Sequence, residues 1–288
     1  MELTDISVVR SLMEKHGLRF QKKFGQNFLI NRSVPERIAE ASGAGGEDGV
    51  LEIGPGIGTL TKELCKRAKK VVSLEIDEGL IPVLGETLGE YDNFKVICED
   101  VMKADLELIV KTEFAGCERV RVAANLPYYI TTPVIMRLLE SGIKFESLTF
   151  LIQKEVADRL CAAPGTPEYG SVTVAVDYYC DREKKFNVPP GCFMPAPKVT
   201  STVITLFPRK IRKYAPKDEK MFFKTVAGAF GMRRKTLVNA LSAAFAVPKE
   251  TVARSLEECG TDPGVRGERL STSDFVALSD ALGNNIEK

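Results

Sequence analysis

One stretch limits the possible folds of this 288-residue chain more than any other: Gly49-Val50-Leu51-Glu52-Ile53-Gly54-Pro55-Gly56-Ile57-Gly58-Thr59-Leu60-Thr61. An apolar, β-branched run stops at a turn with three glycines, and a helix-compatible run follows. This predicts a strand, a tight turn that lets the backbone approach a ligand closely, and a helix start. Such a unit belongs to proteins with a parallel sheet covered by helices. A dinucleotide fingerprint needs GxGxxG; here its third glycine position falls on Thr59, and Gly58 comes one residue early. The spacing suits another adenosyl ligand better than NAD.

Two further strands follow, both ending in acids. Lys69-Lys70-Val71-Val72-Ser73-Leu74-Glu75-Ile76-Asp77 puts Glu75 about 20 residues past the turn, where a carboxylate commonly accepts from ribose hydroxyls. Phe94-Lys95-Val96-Ile97-Cys98-Glu99-Asp100 ends in Asp100, which could accept from an adenine amino group. A fourth apolar run, residues 119–124, leads into Asn125-Leu126-Pro127-Tyr128, and Thr131-Thr132-Pro133 then reads as a helix start. An exocyclic amine on a planar base needs two acceptors and a stacking face. Asn125, the carbonyl beside Pro127 and the Tyr128 ring supply all three. The competing reading is a strand-to-helix turn with a packed tyrosine.

The start is less specific. Residues 4–16 have helical periodicity with Thr4 as candidate N-cap, and Ser33-Val34-Pro35-Glu36 reads as the capped start of a helix to about Ala41. Between them, Phe20-Gln21-Lys22-Lys23-Phe24-Gly25-Gln26-Asn27-Phe28-Leu29 alternates aromatics with lysines and amides. It reads either as an anchored surface loop or as a segment that closes over a ligand, with Lys22 and Lys23 touching a polyanion.

Taken together, Gln26-Asn27-Phe28-Leu29, Glu52 to Gly58, Glu75-Ile76-Asp77, Asp100 and Asn125 to Tyr128 resemble the S-adenosylmethionine-dependent rRNA adenine dimethyltransferases. The likeness is to the housekeeping small-subunit branch, the kasugamycin-sensitivity methyltransferases. Order and spacing agree as well as composition. The resemblance implies a Rossmann-like α/β methyltransferase sheet with a smaller all-helical C-terminal domain. It implies S-adenosylmethionine as cofactor, held by Asn27, Leu29, Gly54, Gly56, Glu75, Ile76, Asp100, Val101 and Asn125. It also implies methyl transfer to adenine N6, with Asn125, Leu126, Pro127 and Tyr128 at the reacting base. Phe193, in the proline-stiffened run Val188 to Val199, is a candidate second face for that base, or else a core anchor.

Downstream, Leu151-Ile152-Gln153 reads as a fifth strand feeding a helix, Val172 to Tyr179 as another strand, and Thr202 to Phe207 as the last, with an antiparallel strand expected from the 171–207 region. Then the composition shifts to helical periods near 218–230, 234–245, 249–258 and 272–282, so a catalytic domain over 1–207 and a helical domain over 208–288 are expected. Residues 1–207 hold 25 Lys and Arg against 29 Asp and Glu, a net of −4, whereas residues 208–235 hold ten against two. Arg209, Lys210, Arg212, Lys213, Arg233, Arg234 and Lys235 are therefore candidate phosphate contacts, the alternative being a solvated face.

The seven cysteines are scattered without a CxxC pair and His16 is the only histidine, which argues against a disulfide framework or a metal site and for a reducing cytoplasm. No secretory signal and no membrane-length apolar run is evident. The implied partner is small-subunit rRNA or the immature small ribosomal subunit, met by a monomer. The readings held against this one are an assembly factor in which methylation is secondary, a large-subunit enzyme of the antibiotic-resistance type, and a DNA adenine methyltransferase.

Overall fold

The computed structural model describes residues 1–18 and 27–286, so Lys22 and Lys23 lie outside the described residues. The chain divides into two compact units: Met1–Ala157 with Arg182–Pro208, and Asp158–Asp181 with Arg209–Lys288.

The first unit opens with α1 (Ile6–Lys15). Its N-cap is Asp5, whose carboxylate accepts the Ser7 N–H at 2.7 Å, and not Thr4, whose hydroxyl is turned to Glu2. A short strand β1 (Phe28–Leu29) precedes α2 (Ser33–Ala41), where the Asn31 side chain accepts the Ser33 N–H. Then come β2 (Asp48–Ile53), α3 (Thr59–Cys65), β3 (Lys70–Glu75), α4 (Ile81–Leu88), β4 (Phe94–Cys98), α5 (Leu106–Glu113), β5 (Arg119–Asn125), α6 (Thr131–Glu140) and β6 (Phe145–Gln153). After α7 (Lys154–Leu160) and α8 (Ser171–Tyr179) the chain returns through β7 (Cys180–Val188), β8 (Phe193–Met194) and β9 (Ser201–Pro208).

Seven strands form one sheet in the order β4-β3-β2-β5-β6-β9-β7. The pairs β2/β3, β3/β4, β2/β5 and β5/β6 are parallel, and β9 runs antiparallel to β6, as expected for one strand of that region. From β2 the order runs outward through β3 and β4, then restarts at β5 on the other side. This reversal is the switch point where open α/β sheets leave a crevice at their carboxyl ends. Val50, Val71, Ala123, Leu151 and Val203 share one core cluster with Ile38 of α2 and Leu60 and Leu64 of α3. Each fully buried aliphatic side chain contributes about 2 kcal/mol. At the amino end of β2, buried Asp48 accepts from Arg119 Nε at 2.8 Å and Arg121 Nε at 2.9 Å, fastening β2 to β5 away from the crevice.

In the second unit, α7 leads to α8, which is a helix and not the strand its valines, threonine and tyrosines predicted. Val174 and Tyr178, one turn apart, enter the same apolar cluster as Phe222, Val226 and Phe275. Burial of that helical stripe overrides local β propensity. The remaining helices are α9 (Glu219–Gly231), α10 (Leu237–Phe245), α11 (Lys249–Glu258) and α12 (Thr272–Ile286). Residues 158–181 therefore join this helical unit, although the sequence suggested one boundary at 207/208.

Candidate active site

A cleft opens at the carboxyl ends of β2, β3, β4 and β5. Its wall includes Asn27 to Leu29, Glu52 to Gly56, Thr59, Glu75, Ile76, Glu99 to Met102 and Asn125 to Ile130. The switch point predicts this place. Every cofactor residue expected from the sequence lines it, as do Asn125, Leu126, Pro127 and Tyr128.

The turn after β2 can take its shape only because of its glycines. Gly54 and Gly56 have φ of +68° and +61°, values that L side chains rarely adopt, and a Cβ on Gly56 would meet the Phe28 ring at 3.1 Å. The Gly56 N–H points to Glu75 Oε2 at 3.4 Å, while Glu75 Oε1 accepts the Asp77 N–H at 2.8 Å. The Glu75 carboxylate is thus aimed by two backbone donors, with lone pairs left over. Burial pushes its pKa above the usual carboxylate range, against the pull of those N–H groups. Asp100 Oδ1 accepts the Met102 N–H at 2.9 Å, leaving Oδ2 to accept from a ligand. Ile76, 48% exposed, gives the cleft an apolar patch.

Two polar groups in the wall were not singled out as site residues from the sequence. Glu52, 1% exposed, accepts from the Thr61 and Ser73 hydroxyls at 2.7 Å each. Burial raises its pKa to about 7, outweighing these hydrogen bonds, and the nearby Glu75 adds to the rise. An acid inside the otherwise apolar Val50-Leu51-Glu52-Ile53 run was the available signal. The buried Thr59 hydroxyl has no hydrogen-bond partner among the described residues. It sits where the glycine turn becomes α3, so the wall still has a donor to offer.

The tetrad ends β5. Asn125 Nδ2 donates to the Asn27 carbonyl at 3.1 Å, which turns Oδ1 away from that bond as an acceptor. The Leu126 N–H donates to the Leu151 carbonyl at 3.2 Å. The Pro127 carbonyl accepts from the Ile130 N–H at 3.3 Å and the Thr131 hydroxyl at 3.1 Å. Both of its lone pairs are engaged, whereas the Leu126 carbonyl accepts no hydrogen bond among the described residues and is left to accept. The Tyr128 hydroxyl is 2.8 Å from Ser201 Oγ, tethering the half-buried ring to the start of β9. Tyr129, 59% exposed, adds an aromatic rim the sequence reading passed over.

The ribosomal RNA adenine dimethylase family model matches residues 17–281. The chain belongs to the ribosomal RNA adenine dimethylase family. The chain is 46% identical over 284 residues to "Ribosomal RNA small subunit methyltransferase A" of Ligilactobacillus salivarius, covering 98% of this chain and 96% of that one. It is 47% identical over 281 residues to the protein of the same name from Clostridium perfringens, covering 98% and 96%. Among solved structures, it resembles a dimethyladenosine transferase from Plasmodium falciparum, with TM-score 0.71 and 27% identity, covering 87% of this chain and 95% of that one. It also resembles the 23S rRNA methyltransferase ErmE, with TM-score 0.67 and 27% identity, covering 89% and 100%.

Two expectations about side chains need correction. Phe193 is 3% exposed and packs in the cluster of Leu29, Val34 and Ile38, while its backbone pairs with Leu29. It is a core anchor and does not line the cleft. Arg209 is not a free phosphate contact: its side chain is 11% exposed, bonds the Asp177 carbonyl and pairs with Asp181. The other basic candidates of the helical unit differ. Arg233 bonds the Pro167 carbonyl and lies 3.6 Å from Glu268, whereas Arg234 and Lys235 beside it are exposed. Lys210 is exposed too. Among the described residues no helix is long and apolar enough to cross a membrane.

Proposed function

We propose that this chain is an S-adenosylmethionine-dependent methyltransferase that dimethylates the N6 amine of adjacent adenines in small-subunit rRNA, serving small-subunit biogenesis. The observation that carries this reading is one cleft holding two chemistries. Its β2–β4 side has a glycine cradle, an aimed carboxylate and a second acid, and its β5 side has an amide, a carbonyl and a tyrosine ring.

The residues fit S-adenosylmethionine. Glu75 has lone pairs for two ribose hydroxyls, Asp100 an acceptor for the adenine amine, Ile76 and Val101 apolar surface for its ring, and Thr59 an unused hydroxyl for the polar methionine end. Asn27, Leu29, Gly54 and Gly56 close the cradle around it. When bound, this group supplies an electrophilic methyl carbon on a sulfonium sulfur.

The protein's task is placement. The N6 lone pair of adenine is delocalised into the ring and is a poor nucleophile. Asn125 Oδ1 and the Leu126 carbonyl accept the two N6 hydrogens and favour a pyramidal nitrogen. The Tyr128 ring stacks the base and stabilises the positive charge that grows on it. Held in this way, the N6 lone pair would be aimed at the methyl carbon the cofactor would supply, and the proton lost from the nitrogen would leave to water. Positioning supplies much of the rate. The base must leave its stack to reach this loop.

Arg234, Lys235 and Lys210 are proposed rRNA phosphate contacts, and Lys22 and Lys23 are proposed to join them. We place the chain in the cytoplasm as a monomer working without a metal; its seven cysteines, none in a disulfide, suit a reducing compartment. The test is transfer of label from methyl-labelled S-adenosylmethionine to small subunits lacking the modification, with mass mapping of the adenines. Dimethyl-adenine in small-subunit rRNA that disappears with Asn125→Ala is expected. Full activity in that variant overturns the tetrad's role.

A further inference from the structure

Asp100 follows β4 and the tetrad closes β5, and the sequence gives no reason for them to hold a fixed spacing. One side chain ties the Asp100 turn to the helix that follows the tetrad. Arg137, on the second turn of α6, donates from Nε to the Val101 carbonyl at 2.8 Å and from Nη2 to the Ala104 carbonyl at 2.7 Å. Residues 100–104 form a tight turn in which the Lys103 and Ala104 N–H groups fold back on the Asp100 carbonyl and the Met102 N–H on its carboxylate. The turn's inward polar groups are satisfied within it, and two of its outward carbonyls are satisfied by Arg137. At its other end α6 is pinned to the tetrad, because the Thr131 hydroxyl and the Ile130 N–H both hold the Pro127 carbonyl. A continuous path of hydrogen bonds and helix thus joins the Asp100 turn to Pro127.

We propose that Arg137 is a positioning residue for methyl transfer: its guanidinium fork sets the adenine-reading turn of the cofactor site at a fixed distance from the base-holding tetrad. The inference deepens the function proposed above and rests on Asp100 reading the cofactor's adenine. A fork is required because two carbonyls in fixed relation are held at once; a lysine, a point donor on a flexible stem, holds one well. Arg137 touches neither cofactor nor RNA in this scheme and acts only through Val101 and Ala104.

The test uses the full-length chain and two probes, S-adenosylhomocysteine and S-inosylhomocysteine, titrated by calorimetry. The inosyl compound replaces the adenine amino donor with a carbonyl, which an Asp100 acceptor rejects. The wild-type chain is expected to prefer the adenosyl probe by about tenfold or more, the weight of one hydrogen bond to a charged group. Arg137→Met, which keeps the stem and removes the fork, should bring the two affinities close to parity. Arg137→Lys should give an intermediate ratio. Leu138→Val, a buried change on the same helix, should leave the ratio where it was and so separates loosened positioning from general loss of stability. If wild type discriminates and Arg137→Met, or Arg137→Lys should the former not fold, discriminates equally well, Arg137 does not position the turn. If wild type binds both probes alike, the Asp100 reading fails and the inference falls with it.

Discussion

Asn125 and Asn27 are 98 residues apart in the chain and joined by a 3.1 Å hydrogen bond from the Asn125 amide to the Asn27 carbonyl. That bond spends one donor of the amide and orients its oxygen. Asn125→Ala removes the oxygen from the base and should lower kcat by about 10²- to 10³-fold, the usual cost of removing one preorganised polar group from a reacting centre. Single-turnover rates at saturating cofactor and RNA check this. A change confined to KM would mean that Asn125 binds and does not activate.

Glu75 makes a different prediction. Its carboxylate is held by the Gly56 and Asp77 N–H groups, and its proposed role is to accept from the ribose of the cofactor. Glu75→Ala should weaken S-adenosylhomocysteine binding about 10- to 100-fold, the weight of hydrogen bonds to a charged group. Affinity for rRNA should be almost unchanged. Calorimetry with the nucleoside and filter binding with the RNA separate the two.

Glu52 ties stability to pH. Its pKa rises from 4.5 to about 7 on folding because burial disfavours the charge. A raised carboxyl pKa means the folded chain keeps a proton the unfolded chain has released. Stability from this group is therefore greatest below 4.5 and lost as pH climbs to about 7, at most about 3 kcal/mol. Glu52→Gln, which never ionises, should lose less melting temperature than wild type between about pH 5 and about pH 8. Parallel pH profiles would sink this assignment.

Gly56→Ala tests the cradle. The new methyl must accept a φ of +61° and sit 3.1 Å from the Phe28 ring. The variant should lose about 1–2 kcal/mol of stability by denaturant titration and bind S-adenosylhomocysteine more weakly. Gly46→Ala, with open space at its Cβ, is the matched comparison and should do neither.

The basic residues of the helical unit divide by exposure. Arg234→Glu and Lys235→Glu should weaken rRNA binding and each flatten its salt dependence by about one counterion. Arg209→Glu should instead lower the melting temperature, because it breaks the pairing with Asp181 and Asp177.

Much of this molecule is legible along the chain. Apolar runs followed by acids mark the crevice, so strands β2 to β5 and the cleft residues Gly54, Glu75, Asp100 and Asn125 are legible in the sequence, although only β2 and β3 are covered on both faces and β4, at the sheet edge, is partly exposed. What could not be read depends on contacts distant in sequence. α8 has strand-forming residues and becomes a helix because Val174 and Tyr178 meet Phe222. Phe193 is flanked by prolines like an exposed loop residue, yet β1 pairs with its strand and the ring goes inward. The engagement of the Pro127 carbonyl depends on the hydroxyl of Thr131, four residues on, which sequence spacing alone does not orient.

That engagement bears on the order of events at one nitrogen. With the Pro127 oxygen saturated, the loop presents a pair of acceptors, and an unmodified amino group has a hydrogen for each. Once a methyl is in place only one hydrogen remains, so one of the two oxygens must face carbon. Under the proposed roles of Asn125 and Leu126 the two additions are unequal: the later one has half the hydrogen bonding of the earlier, and a monomethylated base that leaves early is the by-product to look for.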